Sequence, residues 1–112
     1  MTERHYDKLV RDKIPQIIKD QGNIPVTRVL SDGEYIEYLN KKLKEETEEY
    51  LESNCIEELC DIMEVTKAIA SALNFTDEKI EEVRKCKVQK NGAFLNKIVL
   101  EKVIINTPDD HI

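Results

Sequence analysis

The stretch Lys44–Val65, KEETEEYLESNCIEELCDIMEV, places acids where a helical pattern calls for apolar residues. Just before it starts an apolar stripe, Ile36, Leu39, Leu43 and Tyr50, spaced 3, 4 and 7. The absent member of that amphipathic repeat is position 46, and position 46 is Glu. Glu49, three residues on, borders the same face. Further along, Glu58 and Asp61 are also three apart, and their line continues through Val65, Ala68 and Ala72. A bare carboxylate on a core-facing position is costly, so something must neutralise it.

Two helices with a short connection at Ser53-Asn54 should be antiparallel neighbours. Residues equally far from the turn then lie level, which pairs Glu49 with Glu58 and Glu46 with Asp61. The two rungs are roughly 5 Å apart along the axis. Packed axes lie about 8–10 Å apart, so carboxylates from both sides can converge. Four anions this close cannot all stay ionised without a cation. An oxygen-only set without His or Cys suits Mg²⁺, with Mn²⁺ as a substitute.

The rest of the chain frames this hairpin. Its 112 residues are enough for one domain, 1–112, and too few for two ordinary cores. Charge of both signs is abundant, while Gly, Pro and aromatic residues are scarce, as suits a mainly α protein. The net charge of −6 argues against a nucleic-acid polymer or a membrane surface as partner. Basic residues cluster only locally, in KLVRDK and RKCKVQK, which fits a small anionic ligand. No apolar run approaches the roughly 20 residues of a membrane span. The segment MTERHYDK has no signal-peptide core, so a cytoplasmic location is expected. Three cysteines, without CxxC spacing, are read as free thiols.

Further elements follow from capping and composition. Asp12 is read as the N-cap of a short helix with Pro15 in its first turn, stopped by Gly22. Ile24–Leu30 is β-branched and predicts a strand. Ser31-Asp32-Gly33-Glu34 is a capping box that opens the long helix, which runs to about Ser53. Asn54-Cys55-Ile56-Glu57 is read as a second capping pattern, opening a helix that ends near Asn74. Thr76 is expected to cap a third helix, Asp77 to about Lys90, ended by Asn91-Gly92. Its Ile80, Val83 and Val88, with Phe94 beyond, are expected to pack on the hairpin. Lys97–Ile105 predicts a second strand, and 106–112 a flexible tail. The expected architecture is a hairpin plus third helix in a four-helix-bundle-type dimer core. A small two-stranded sheet is expected to join 24–30 with 97–105. The second helix is apolar on more than one face, which one partner helix cannot cover, so a homodimer or larger assembly is expected.

LKEETEEYLE followed by EELCD resembles the EExxE…ExxD signature of the MazG-like all-α nucleoside triphosphate pyrophosphohydrolases. Glu45-Glu46-x-x-Glu49 matches the first half and Glu58-x-x-Asp61 the second. YDKLVRDKIPQII and KNGAFLNKIVLEKV look like the compact phosphoribosyl-ATP pyrophosphohydrolase-like branch, so the resemblance spans nearly the whole chain. The resemblance implies cleavage of a nucleoside triphosphate between the α and β phosphates, divalent metal and a homo-oligomer. Matched by position, the metal ligands would be Glu46, Glu49, Glu58 and Asp61, the same four that the stripe and the symmetry select. The gap from Glu49 to Glu58 is shorter than in many members, which implies a tight hairpin.

The catalytic roles then fall to Glu46 and Asp61 on the metal and to Glu45 as the group that takes the proton of the attacking water. Lys8, Arg11, Lys13, Lys87 and Lys90 are candidate phosphate contacts, and Asn91 a substrate contact beside Gly92 and Phe94. Tyr35, Tyr38 and Tyr50 are read as packing residues before base-stacking ones, and His5 and His111 receive no role. Three functions remain open: house-cleaning hydrolysis of nucleotides, hydrolysis of phosphoribosyl-ATP in the histidine pathway, and a non-catalytic helical dimerisation or regulatory module.

Overall fold

The computed structural model describes residues 2–106, and all regular structure among them is helical. The elements are α1 (Ile14–Asp20), α2 (Asp32–Ser53), α3 (Ile56–Ala72) and α4 (Asp77–Asn91). The chain divides into two compact units, Met1–Asp77 and Glu78–Ile112. The first holds α1, α2 and α3, and α4 runs from its last residue into the second.

The start of α2 follows the sequence closely. Ser31 accepts from the Glu34 amide while Glu34 reaches back to the Ser31 amide, so both halves of the capping box are made. At the other end Asn54 adopts the left-handed conformation, φ 53°, and donates its amide to the Tyr50 carbonyl. Asn54 therefore closes α2 and does not open α3. The N-cap of α3 is Cys55, with no side-chain capping bond. A left-handed Asn is one of the few non-glycine residues that ends a helix at little steric cost, which makes the two-residue turn possible. α1 likewise starts later than expected: Lys13, not Asp12, is its N-cap, again without a side-chain bond.

α2 packs along α3 as the expected hairpin. Leu39 of α2 and Ala70 of α3 are the buried apolar residues of the described chain. Ile36, Leu43, Glu49 and Tyr50 are half-buried on the same stripe as Leu39 and Glu46. The stripe read from the sequence is thus the seam of the hairpin, with Glu46 inside it.

The expected two-stranded sheet is absent: neither 24–30 nor 97–105 forms a strand. The first segment is irregular, with Val26 and Val29 95% and 98% exposed. It is held to α2 by side chains. Arg28 donates to Glu34 Oε2 at 3.2 Å and to the Tyr38 hydroxyl at 3.3 Å. In the second segment Ile98, Val99, Leu100, Val103 and Ile104 are all exposed. The β-branched composition was read as two strands, and neither forms. Pairing is a separate, non-local matter, and a lone two-stranded ribbon is marginal in water. Within its own unit α4 buries no residue, and Ile80, Val83 and Val88 are exposed. His111 and most of the expected tail lie outside the described residues.

Candidate functional site

Glu46 sits in the middle of the hairpin seam because the α2 repeat turns position 46 inward. Its side chain is only 8% exposed. One oxygen, Oε1, meets Lys42 Nζ at 3.2 Å, one helical turn earlier. The other, Oε2, is shut off from solvent and has no hydrogen-bond partner. Such an atom is rare in a folded protein and asks for an explanation. Burial pushes the Glu46 carboxyl above its ordinary range; Lys42 opposes this, and the neighbouring Glu49 carboxyl adds to it.

Across the seam α3 contributes Glu58 and Asp61, both half-buried. One carboxylate oxygen from each of Glu46, Glu58 and Asp61 lies within 4.8 Å of the others. Three of the four expected ligands are therefore brought together. Glu49 is outside this triad, though close enough to Glu46 to raise its pKa.

The charges opposite these acids come largely from outside the hairpin. Arg11, in the irregular segment before α1, donates from Nη2 to Asp61 Oδ1 at 2.7 Å. Lys8 donates to Glu45 Oε1 at 3.2 Å, and Lys42 to Glu45 Oε2 at 3.4 Å. For Glu45, burial works against ionisation, yet the bond from Lys8 and the two lysine charges outweigh it and hold the carboxyl below its usual range. The N-terminal segment is further fixed by the Tyr38 hydroxyl, which donates to Asp7 Oδ1 at 2.9 Å. The Tyr38 hydroxyl thus serves a polar network.

Of the remaining expected site residues, Lys13 is exposed at the start of α1. Lys87, Lys90 and Asn91 belong to the second unit, all exposed. There Lys87 and Asn91 line a shallow concavity with Arg84, Val88, Gly92 and Phe94. Gly92 takes φ +84° just after α4, the left-handed stop that its position suggested. Lys42 is the residue that sequence reasoning passed over. Its signal was available: it precedes Glu46 by four and Glu45 by three, the spacings at which helical charges meet.

Comparison with known proteins adds little. No family model and no solved structure matches the chain. An uncharacterized protein of Mycolicibacterium smegmatis is 52% identical over 42 residues, which is 38% of this chain and 43% of that protein. The chain thus matches less than half the length of this relative, and the relative's name carries no function. Among the described residues no helix is long and apolar enough to cross a membrane.

Proposed function

We propose that this chain is a divalent-metal-dependent nucleoside triphosphate pyrophosphohydrolase that releases a nucleoside monophosphate and pyrophosphate. The observation that carries the reading is the orphaned, buried Oε2 of Glu46 beside the carboxylates of Glu58 and Asp61. Hard oxygen donors without nitrogen or sulfur suit Mg²⁺ or Mn²⁺, and a cation there would give Oε2 the partner it lacks. Glu46, Glu58 and Asp61 would hold the ion, with Glu49 at their edge. When bound, the ion supplies charge that stabilises the phosphate oxygens and activates water.

The chain's own residues supply the rest. Lys8 and Arg11 face the acids from the N-terminal segment and are the proposed phosphate contacts, with Lys13 farther along it. Lys87, Lys90 and Asn91 remain proposed substrate contacts on the second unit. Glu45 is ionised, as a base must be, but both its oxygens are engaged by lysines. It accepts a proton only once one lysine turns to the substrate. The proposed location is cytoplasmic. The proposed assembly is a homodimer or larger homo-oligomer, in which a second copy covers apolar residues such as Leu51, Ile56 and Met63. House-cleaning of non-canonical or surplus nucleotides is the proposed role, with phosphoribosyl-ATP as the competing substrate.

Incubation with canonical and modified nucleoside triphosphates and with phosphoribosyl-ATP, plus Mg²⁺, tests the reading through pyrophosphate release. Pyrophosphate from one or more of them, abolished by chelation, is expected; none from the whole panel overturns it. One observation favours a second reading. Lys8, Arg11 and Lys42 are also the cations that a purely structural ion-pair network would need. A non-catalytic helical module with that network would release nothing and bind no metal.

A further inference from the structure

Arg11 holds Asp61 through a short, charge-assisted hydrogen bond, and Asp61 is one of the three converging carboxylates. The arginine comes from irregular backbone, and its side chain is more than half exposed. With most of the side chain open to solvent, the guanidinium can turn away without disturbing the hairpin seam. A divalent ion on Glu46, Glu58 and Asp61 needs the same carboxylate charge that Arg11 neutralises. Two cations drawing on one carboxylate repel each other, and a divalent ion has twice the charge of the guanidinium. The released guanidinium is then a planar fork of donors, the geometry that suits phosphate oxygens. Lys8 on Glu45 stands three residues back in the same segment, so the released arginine would not be alone.

We propose that Arg11 is an exchangeable counter-ion: it occupies Asp61 in the metal-free protein, yields Asp61 to the incoming divalent cation, and turns to the polyphosphate. This rests on the metal-site reading above and adds the order of events at that site. It separates three roles that a single loss-of-activity measurement would merge. A structural ion pair, once removed, weakens or leaves unchanged the binding of both ligands. A plain phosphate contact weakens only phosphate binding. An exchangeable counter-ion moves the two affinities in opposite directions.

The test is calorimetric titration of the full chain with Mn²⁺, then with pyrophosphate at saturating Mn²⁺, for the parent and Arg11→Gln. Mn²⁺ should bind Arg11→Gln about 5-fold or more tightly than the parent, a typical size for coupling between two sites. Pyrophosphate should bind about 10-fold more weakly, as for a lost charged hydrogen bond. Equal or weaker Mn²⁺ binding by the variant overturns the exchange while leaving the metal site standing. Tighter Mn²⁺ binding with unchanged pyrophosphate binding overturns the transfer to phosphate. Absence of Mn²⁺ binding in both proteins overturns the exchange and the metal reading together. A measurement on the parent alone guards against a variant that fails to fold. The Arg11 side-chain Nε–H resonance should move on Mg²⁺ addition and again on pyrophosphate addition; a resonance that ignores Mg²⁺ overturns the proposal.

Discussion

In the α2–α3 hairpin a carboxylate, Glu46, is one of three buried residues, beside Leu39 and Ala70. In the segment after α4 the reverse holds: Phe94 is 97% exposed, and Leu95, Ile98 and Val99 are exposed with it. Scattered surface apolar residues need no explanation, but a buried charge and a run of bare apolar residues both do. The hairpin's anomaly is local and chemical. Its helices fix the acids in place, and what Glu46 Oε2 lacks is a hydrogen-bond partner, in whose place a small cation is the proposal. The C-terminal anomaly is one of area. No single ion or phosphate covers residues spread from 94 to 105, whereas a protein surface can. The two regions therefore call for tests of different kinds, a small cation for the first and association with a second copy for the second, both as proposals.

The comparison is broken most decisively at Asp61. Asp61→Asn keeps the shape of the side chain and removes one charge from the triad. Pyrophosphate release should fall by at least about 10²-fold, because the transition-state charge loses part of its counter-ion support. The metal-free fold should survive, since Asp61 is only half-buried and Asn still accepts from Arg11. Full turnover in a clean Asp61→Asn preparation would reduce the hairpin's acids to ordinary ion pairs.

Next comes metal linkage. An ion that binds only the folded chain stabilises it by about 2.7 kcal/mol at 100 times its Kd. A thermal melt across a millimolar titration of Mg²⁺ and Mn²⁺ should therefore rise. Glu46→Gln should abolish the rise, because it removes the charge from the buried carboxyl at the centre of the seam. A melting temperature indifferent to both ions in the parent would leave Glu46 Oε2 without the partner proposed for it.

The C-terminal half of the comparison is tested by mass. Light scattering at micromolar concentration should give a species heavier than the 13.0 kDa chain. Burying one large aliphatic side chain contributes about 1.5–3 kcal/mol. Ile98→Lys should therefore weaken association about 10-fold or more while leaving α2 and α3 folded, as read by helical circular dichroism. A monodisperse 13.0 kDa parent would mean that the apolar segment is simply borne in solvent.

How far the sequence disclosed all this depends on the range of the interaction that each residue makes. Ser31 and Glu34 are three apart, and their capping box was legible because its partners are local. Glu46, Glu58 and Asp61 were legible because a two-residue turn converts symmetry in sequence into proximity in space. Glu49 fell outside the triad because equal height on antiparallel helices does not fix the direction in which a side chain leans. Asn54 was misread because Asn serves both at N-caps and in left-handed stops, and only the backbone conformation separates the two. The sheet between 24–30 and 97–105 was wrong for the opposite reason to the hairpin's success. Its pairing spans most of the chain, and β-branched composition names no partner. The contacts of Lys8 with Glu45 and Arg11 with Asp61 are 37 and 50 residues apart, and no periodicity could have matched them.

The smallest expected effect concerns the start of α2, which sets the register of the acids. Glu34 is held below its ordinary pKa, first by the hydrogen bonds of the Ser31 amide and hydroxyl, then by Arg28. A carboxyl whose folded pKa is depressed binds fewer protons folded than unfolded near its titration range. Its contribution is therefore complete above the unfolded pKa and lost as pH falls through the depressed folded value. Glu34→Gln preserves a side chain that can still reach back to the Ser31 amide, so it isolates the charge from the capping geometry. The parent should be slightly more stable than Glu34→Gln at neutral pH, and the difference should vanish in acid. Ser31→Ala, by contrast, removes the acceptor itself and should cost about 1 kcal/mol at every pH where the chain folds. Urea unfolding of the three proteins at neutral and acidic pH makes the distinction. If Glu34→Gln keeps a constant offset from the parent down to acid pH, the charge is not what holds this end of the hairpin. The cap would then rest on hydrogen-bond geometry alone.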